Sequence, residues 1–328
     1  MTITVKTIAD SISPSGQRLT TFQLRYPRFI HAEELTHRIL SSTPEAVIYE
    51  ALHDGLMYDK GFSRNASSSR AIPVNRMIED ILRDPVVPLH WGKNQPGMQA
   101  REELDPEAKL LASCHWLDAL DDVVKHVKAM MEIGLHKQIA NRLLEPWAHI
   151  NVVCTATSYA NFFNLRSHAD AQPEIKELSD LMQHAMLLSV PQLVNVGEWH
   201  LPYINLAEDW VEATRYCQEG RATRDMPRKE EIYKVLRKVS TARCARVSYL
   251  THDGRRTTVE EDAGLHDRLV VAEPLHASPA EHQATPDEVF TYADPRTLGP
   301  AYKHPELHGN FTGWQQYRKM LPGEFVPG

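Results

Sequence analysis

Phe62-Ser63-Arg64-Asn65-Ala66-Ser67-Ser68-Ser69-Arg70, read together with Thr36-His37-Arg38 upstream of it, is the stretch on which the fold of this chain turns. Hydroxyls, an amide and guanidinium groups lie side by side there with no carboxylate between Phe62 and Arg70. Such a surface holds oxyanions, and its natural ligand is a phosphate ester. Alone, the segment also reads as a Ser-rich turn carrying surface arginines, so its neighbours have to decide.

Upstream, Thr2 to Ile8 and Leu19 to Tyr26 alternate as strands do, around a turn at Ser13-Pro14-Ser15-Gly16. A β-hairpin is expected. Pro27 ends it, and a helix over His31 to Leu40 would bring Glu33, His37 and Arg38 together at i, i+4 spacing. Downstream, Pro106 to Leu144 reads as a helical hairpin. Its stripe is Leu111, Leu117, Leu120, Val124, Val127 and Met131, Gly134 caps the first helix, and a second runs to Leu144. Ile150 to Thr155 is a short apolar strand. Pro173 opens a helix with a buried stripe of Ile175, Leu178, Met182, Ala185 and Met186. Gly197 to Tyr203 reads as a packed loop, and Lys229 to Val239 as a further helix. The fold class is α+β: an antiparallel sheet with flanking helices and a helical hairpin.

The chain has 328 residues, 42% hydrophobic and 24% charged, which is ordinary for a globular protein of one large core or two modest ones. No apolar run reaches the roughly 18 residues of a membrane span, and Met1 to Lys6 lacks a secretory pattern, so a cytoplasmic location is expected. Cys114, Cys154, Cys217 and Cys244 form no Cys-x-x-Cys pair and read as reduced thiols. A net charge of −7 gives no global attraction to nucleic acid. The basic run from Arg221 to Arg246 is interrupted by Glu230 and Glu231 and reads as a solvated helix face. Histidines number 17 but form no His-Glu-x-x-His, so no metal site is expected. There is no phosphate loop, no Gly-x-Gly-x-x-Gly and no Gly-x-Ser-x-Gly; Trp91 to Gln99 is a polar loop that reads as a lid.

His37-Arg38 followed by Ser63-x-Asn65-x-x-Ser68-x-Arg70 resembles the signature of the flavin-dependent thymidylate synthases, His-Arg-x-x-Ser-x-Asn-Glu-x-Ser-x-Arg. In this chain an insert at about 39–61 splits it, Thr36 replaces its leading Arg and Ala66 its Glu. The insert reads as a helix, with Val47, Ile48, Ala51, Leu52 and Leu56 on one face. Tyr159 to Arg166 with Ala171-Gln172-Pro173-Glu174-Ile175, and Ala140 to Pro146 around Arg142, resemble two further segments of that family. Ala242 to Tyr249 and His276 to His282 resemble its Ala-Arg-Val-Ser and His-x-x-Pro-Phe-Glu-His segments, but stand after the His-Arg pair where the family has them before it. A circular permutation accounts for that order, because domain termini commonly lie close together at the surface.

The resemblance implies one domain over 1–328, with a C-terminal extension at about 287–328. It implies reductive methylation of dUMP to dTMP, with methylenetetrahydrofolate and NADPH as cosubstrates and FAD as cofactor. The protein would be a homotetramer acting on a pyrimidine deoxynucleotide, with no nucleic acid polymer as partner. It assigns His37, Arg38, Asn65, Asn161, Ser248 and His282 to the flavin. Ser68, Arg70, Arg142 and Arg166 fall to the nucleotide, with Arg166 also facing the uracil edge as the catalytic group. Glu33 aligns with a family Gln at the substrate side and is expected to orient the arginines in place of the lost Glu. Thr36, Ala66, Thr155 and Thr157 depart from the family pattern. They leave open methylation of dCMP, hydroxymethylation, or a nucleotide- or flavin-binding protein without turnover.

Overall fold

The computed structural model describes residues 2–35, 62–97, 99–219, 225–251, 254–270, 275–292 and 300–324. Thr36, His37, Arg38 and the helix expected in the insert lie outside them. In chain order the elements are β1 (Thr4–Ile12), β2 (Arg18–Pro27), α1 (His31–Leu35), β3 (Ser63–Ala66), α2 (Val74–Arg83), α3 (Pro106–Glu132) and α4 (Lys137–Ala140). Then come β4 (His149–Ala156), α5 (Ala160–Arg166), α6 (Pro173–Leu188), β5 (Gln192–Leu193), α7 (Leu206–Glu219), α8 (Lys229–Arg246) and α9 (Val259–Val270). Last are β6 (Ala284–Pro286), β7 (Val289–Tyr292), β8 (Pro300–Tyr302) and β9 (Trp314–Gln316).

The expected hairpin is present, with Gly16 at φ 83° in its turn. Its strands join a five-stranded sheet of order β3-β4-β2-β1-β5. The sheet is mixed, not antiparallel throughout: the two-residue β5 pairs parallel with β1, because α6 returns the chain to the same end of the sheet. One face of the sheet, from Phe22, Leu24, Tyr26, Ile150, Val152, Cys154 and Ala156, packs on Phe162 of α5 and on Ile175, Leu178 and Met182 of α6. The other face offers Thr21, Thr155, Val153, Ser63 and Asn65 to the C-terminal part of the chain.

The helical hairpin is half realised. α3 starts where Asp105 accepts a bond from the Ala108 amide (2.9 Å), and Pro106 fills the first turn. It stops at Gly134, φ 85°, with the Leu135 amide bonded back to the Met130 carbonyl (3.0 Å). Beyond it the second arm is only the one-turn α4 and a 3-10 segment, Asn141–Trp147, since Pro146 denies a continuing helix its hydrogen bond. Leu120, Val124 and Val127 are buried against α2 and Trp147 as expected, whereas Leu111 is 59% exposed.

α8 runs to Arg246, seven residues past the expected end, because Ala242-Arg243-Cys244-Ala245-Arg246 continues with good helix formers. Its basic run is solvated only in part: Arg228, Lys229 and Lys234 are exposed, but Arg237 and Arg243 are not. Arg237 stacks on Trp199 with its guanidinium carbon 4.3 Å from the ring centroid, and Arg243 is 1% exposed. Strands β6 and β9 pair with each other, and Trp314 and Phe311 bury against Leu19 of the main sheet. The C-terminal residues therefore close the core rather than hang from it.

Candidate active site

β3 lies antiparallel to β4 with Ser63 opposite Thr155 and Asn65 opposite Val153. The Asn65 amide donates to the carbonyls of Cys244 (2.7 Å) and Ala245 (3.4 Å), which ties the end of α8 to the edge of the sheet. α8 terminates on Val247 at φ 56°, with the Ser248 amide bonded back to the Arg243 carbonyl (3.2 Å). A β-branched residue in that region costs on the order of 1–3 kcal/mol, and it persists here because Val247 is buried with Val153, Tyr203 and Cys244. Tyr203, φ 62°, is the other non-glycine with positive φ among the described residues and meets Tyr249 edge-on at 4.9 Å. This strained corner fixes Ser248, whose Oγ accepts from the Leu250 amide (2.9 Å). A groove of about 630 Å³ opens beside it, lined by Lys6, Asn205, Tyr249 and Arg256 among others.

His282 arrives at the same face. It is fully buried, its Nδ1 lies 2.8 Å from Thr155 Oγ1, and its Nε2 is buried with no hydrogen-bond partner among the described residues. Burial pushes its pKa down to about 3. Asn65, Ser248 and His282 thus gather on one patch of the sheet although most of the chain separates the first from the last.

The residues read as nucleotide ligands lie elsewhere. Ser68 and Arg70 are exposed on a turn that the Asn141 amide holds through the carbonyls of Ser69 (2.7 Å) and Ile72 (3.0 Å). Glu145 gathers the corner: its carboxylate takes the Ser69 hydroxyl (2.7 Å), Arg142 (3.1 Å) and Arg28 (3.2 Å). Ser68, Arg70 and Arg142 therefore share one exposed, cation-rich corner. Asn161 is exposed at the start of α5 and Arg166 sits in its last turn. Phe162 between them packs edge-on to Phe62 at 5.3 Å, so α5 stacks on the residue that opens the signature. The polar loop read as a lid docks on the turn just beyond, with Gln99 Nε2 on the Asp170 carbonyl (2.7 Å) and Arg101 on its carboxylate (3.1 Å).

Several site-adjacent residues escaped the sequence. Glu33 lies in α1, but the buried carboxylate that can be described there is its neighbour Glu34, which accepts from Arg64 Nε at 2.6 Å. His200, in the segment read as a packed loop, joins Ser11 to Thr21 and through it Thr155. Arg243 grips Asp209 with two bonds (2.8 and 2.9 Å), Asp262 with a third (3.0 Å) and the Tyr203 carbonyl with a fourth (2.8 Å), all buried. None of the three leaves a trace in residue spacing, since each depends on partners far away in the chain. Burial pushes the Cys154 thiol up to about 12 and raises that of Cys244, so neither is a ready thiolate. Among the described residues no group of three or more His, Cys, Asp or Glu is placed to hold a metal, and no helix is long and apolar enough to cross a membrane.

No curated protein matches the chain. Solved structures that resemble it include the UMP/dUMP methylase PolB from Streptomyces cacaoi bound with 5-Br UMP, at 17% identity and a TM-score of 0.41 over 56% of this chain and 88% of that one. The same protein bound with 5-Br dUMP gives 16%, 0.40, 56% and 90%. A family model described as thymidylate synthase complementing protein matches residues 11–192, from the end of β1 through β5 and so across every strand of the main sheet. That span is more than half of the chain, which therefore belongs to the thymidylate synthase complementing protein family.

Proposed function

We propose that the chain catalyses reductive methylation of dUMP to dTMP, taking the carbon from methylenetetrahydrofolate and reducing equivalents from NADPH by way of FAD. Beyond family membership, one observation carries this reading. The Ala-Arg-Val-Ser and Glu-His segments, late in the chain, fold back onto Asn65 of β3 and Thr155 of the neighbouring β4. This is the placement a circularly permuted single domain would need. His282 fits the flavin role, because a buried ring nitrogen with no partner among the described residues is costly unless a ligand or water meets it. Together with Asn65, Ser248 and the expected contributions of His37, Arg38 and Asn161, it would hold FAD, which supplies the hydride chemistry when bound.

The chain's own residues bind, orient and shield. Ser68, Arg70 and Arg142 would take the nucleotide phosphate, with Glu145 fixing the Arg142 fork. Arg166 would face the uracil carbonyls, where a planar cation stabilises negative charge as C5 becomes nucleophilic. Glu33 would serve the same substrate side. Arg142 and Arg166 lie on separated elements, and Leu187, Leu188, Val190 and Leu193 form an exposed apolar run (79, 71, 85 and 61%). A homotetramer that completes each site from several copies answers both features.

The purified chain is expected to be yellow or to bind FAD in a fluorescence titration. It should oxidise NADPH faster with dUMP and methylenetetrahydrofolate present, and scatter light as about four copies. A colourless protein that binds no flavin removes the proposal. Ala66, Thr36 and Thr157 favour one second reading, one-carbon modification of another pyrimidine nucleotide; stimulation by dCMP but not dUMP selects it. Arg70→Ala and Arg166→Ala should each weaken nucleotide binding by about 1.5–3 kcal/mol, the range for a lost charged hydrogen bond. Unchanged titration curves for both variants would take these residues out of the nucleotide site.

A further inference from the structure

A line of hydrogen bonds crosses the sheet beneath the candidate site. Ser11 Oγ lies 2.8 Å from His200 Nδ1, and His200 Nε2 lies 2.7 Å from Thr21 Oγ1. Thr21 Oγ1 is 2.8 Å from Thr155 Oγ1, which is 2.8 Å from His282 Nδ1. All five residues are buried, so the links of the line are shielded from bulk water. Each hydroxyl carries one proton and each neutral imidazole one N–H, and this decides how the chain can be wired.

Only two wirings give every link one donor and one acceptor while using both threonine protons within the line. In the first, Ser11 donates to His200 Nδ1, His200 Nε2–H donates to Thr21, Thr21 to Thr155, and Thr155 to His282 Nδ1; the His282 proton then sits on Nε2. In the second every bond reverses and the proton sits on Nδ1. The two ends choose between them. Ser11 Oγ has His200 as its partner among the described residues, so reversal would leave its buried O–H with no acceptor. The first wiring leaves His282 Nε2–H over instead, at the end where the ligand is read to sit, so an acceptor atom there pairs it, whereas the described residues offer no acceptor for the Ser11 hydroxyl that the second wiring strands. Both threonines are needed, since valine would neither donate nor accept.

Resting on the reading of His282 as a cofactor-facing residue, we propose that Ser11, His200, Thr21 and Thr155 are positioning residues that fix His282 as its Nε2–H tautomer. The one unpartnered polar atom of the line then presents a hydrogen-bond donor to an acceptor atom of the ligand, a carbonyl oxygen or a ring nitrogen. Thr155, a departure from the family pattern, acquires a task in this way: it is the residue that donates to Nδ1. The segment Glu198-Trp199-His200, which the signature motifs leave unused, joins the site through the same line.

The test is nitrogen-15 NMR of the full chain labelled on histidine, saturated with FAD, at neutral pH. His282→Gln and His200→Gln assign the two rings by the signals each removes. Both rings should carry their proton on Nε2, because the line ties their tautomers together. Thr155→Val should turn His282 into a tautomer mixture and weaken FAD binding by about tenfold, the effect of one lost hydrogen bond's worth of preorganisation; Thr155→Ser should restore both. A wild-type His282 proton on Nδ1, opposite tautomers on the two rings, or an unchanged His282 signal in folded Thr155→Val overturns the inference. If Thr155→Val does not fold, the wild-type tautomers alone decide. A protein that binds no flavin removes the cofactor reading, while like tautomers on its two rings still support the line, so the two failures are distinguishable.

Discussion

Arg243→Ala is expected to destabilise the protein by about 3–5 kcal/mol, the range for removing one partner of a buried ion network. The side chain is 1% exposed, and the two carboxylates it holds, Asp209 and Asp262, are fully buried. Without the guanidinium they keep only partial compensation, Arg256 on Asp209 (2.9 Å) and Arg246 on Asp262 (2.7 Å), which places the loss toward the lower end. Since a domain is stable by about 5–15 kcal/mol, even that is a large fraction. The same network holds the Tyr203 carbonyl at 2.8 Å, so the strained corner that positions Ser248 should loosen with it. Lys234, exposed on the same helix, gives the contrast and should cost less than about 0.5 kcal/mol when replaced by Ala. Urea midpoints at neutral pH measure both. A midpoint for Arg243→Ala indistinguishable from that of Lys234→Ala would return the basic run to the solvated face that its composition suggests.

That run shows where sequence reading stops. Periodicity found the hairpin, the apolar β4 and the α6 stripe because each follows from residues within one segment, where alternation and 3.6-residue spacing leave a local trace. Arg237, Arg243 and Arg246 look like any solvated arginines until Trp199, Asp209 and Asp262, far away in the chain, are brought against them. The parallel pairing of β5 rests on two residues, too few for a pattern. Of the site, the concentration of hydroxyls and guanidinium groups at Ser68, Arg70 and Arg142 was legible, since it lies in residue type. The Glu34–Arg64 pair and the His200 line were not, because a lone Glu or His has no spacing to read. The motif order also hid which segments meet: the Asn65 bonds to Cys244 and Ala245, like the burial of Trp314 against Leu19, bring the last third of the chain to the first.

Acid should unfold this protein well above the range of carboxylate titration. Burial holds His200 and His282 down to about 3, and the half-buried His31 and His149 down to about 4. A histidine released by unfolding titrates near 6.5, so between that value and the folded one the unfolded chain binds protons that the native chain does not. The stabilisation from these neutral rings is therefore complete above pH ~6.5 and drains away as the pH falls below it. At pH 5, above the folded pKa of all four rings, each forfeits about 1.5 pH units at roughly 1.4 kcal/mol per unit, so the two fully buried rings together lose about 4 kcal/mol, and the half-buried His31 and His149 add a comparable loss reduced by solvent screening. The lowered carboxyl of Asp209, held by Arg243, behaves differently: its contribution persists down to pH ~4 and is lost only below that. Urea unfolding at pH 7.5, 6.5, 5.5 and 5.0 separates the two groups, and His200→Gln with His282→Gln, which keep polar atoms in place but cannot titrate, should flatten the slope over that range. Stability that stays level from pH 7.5 to 5.0 would mean that one or both rings gain protons in the native state, and the wiring that needs two neutral imidazoles would fail with it.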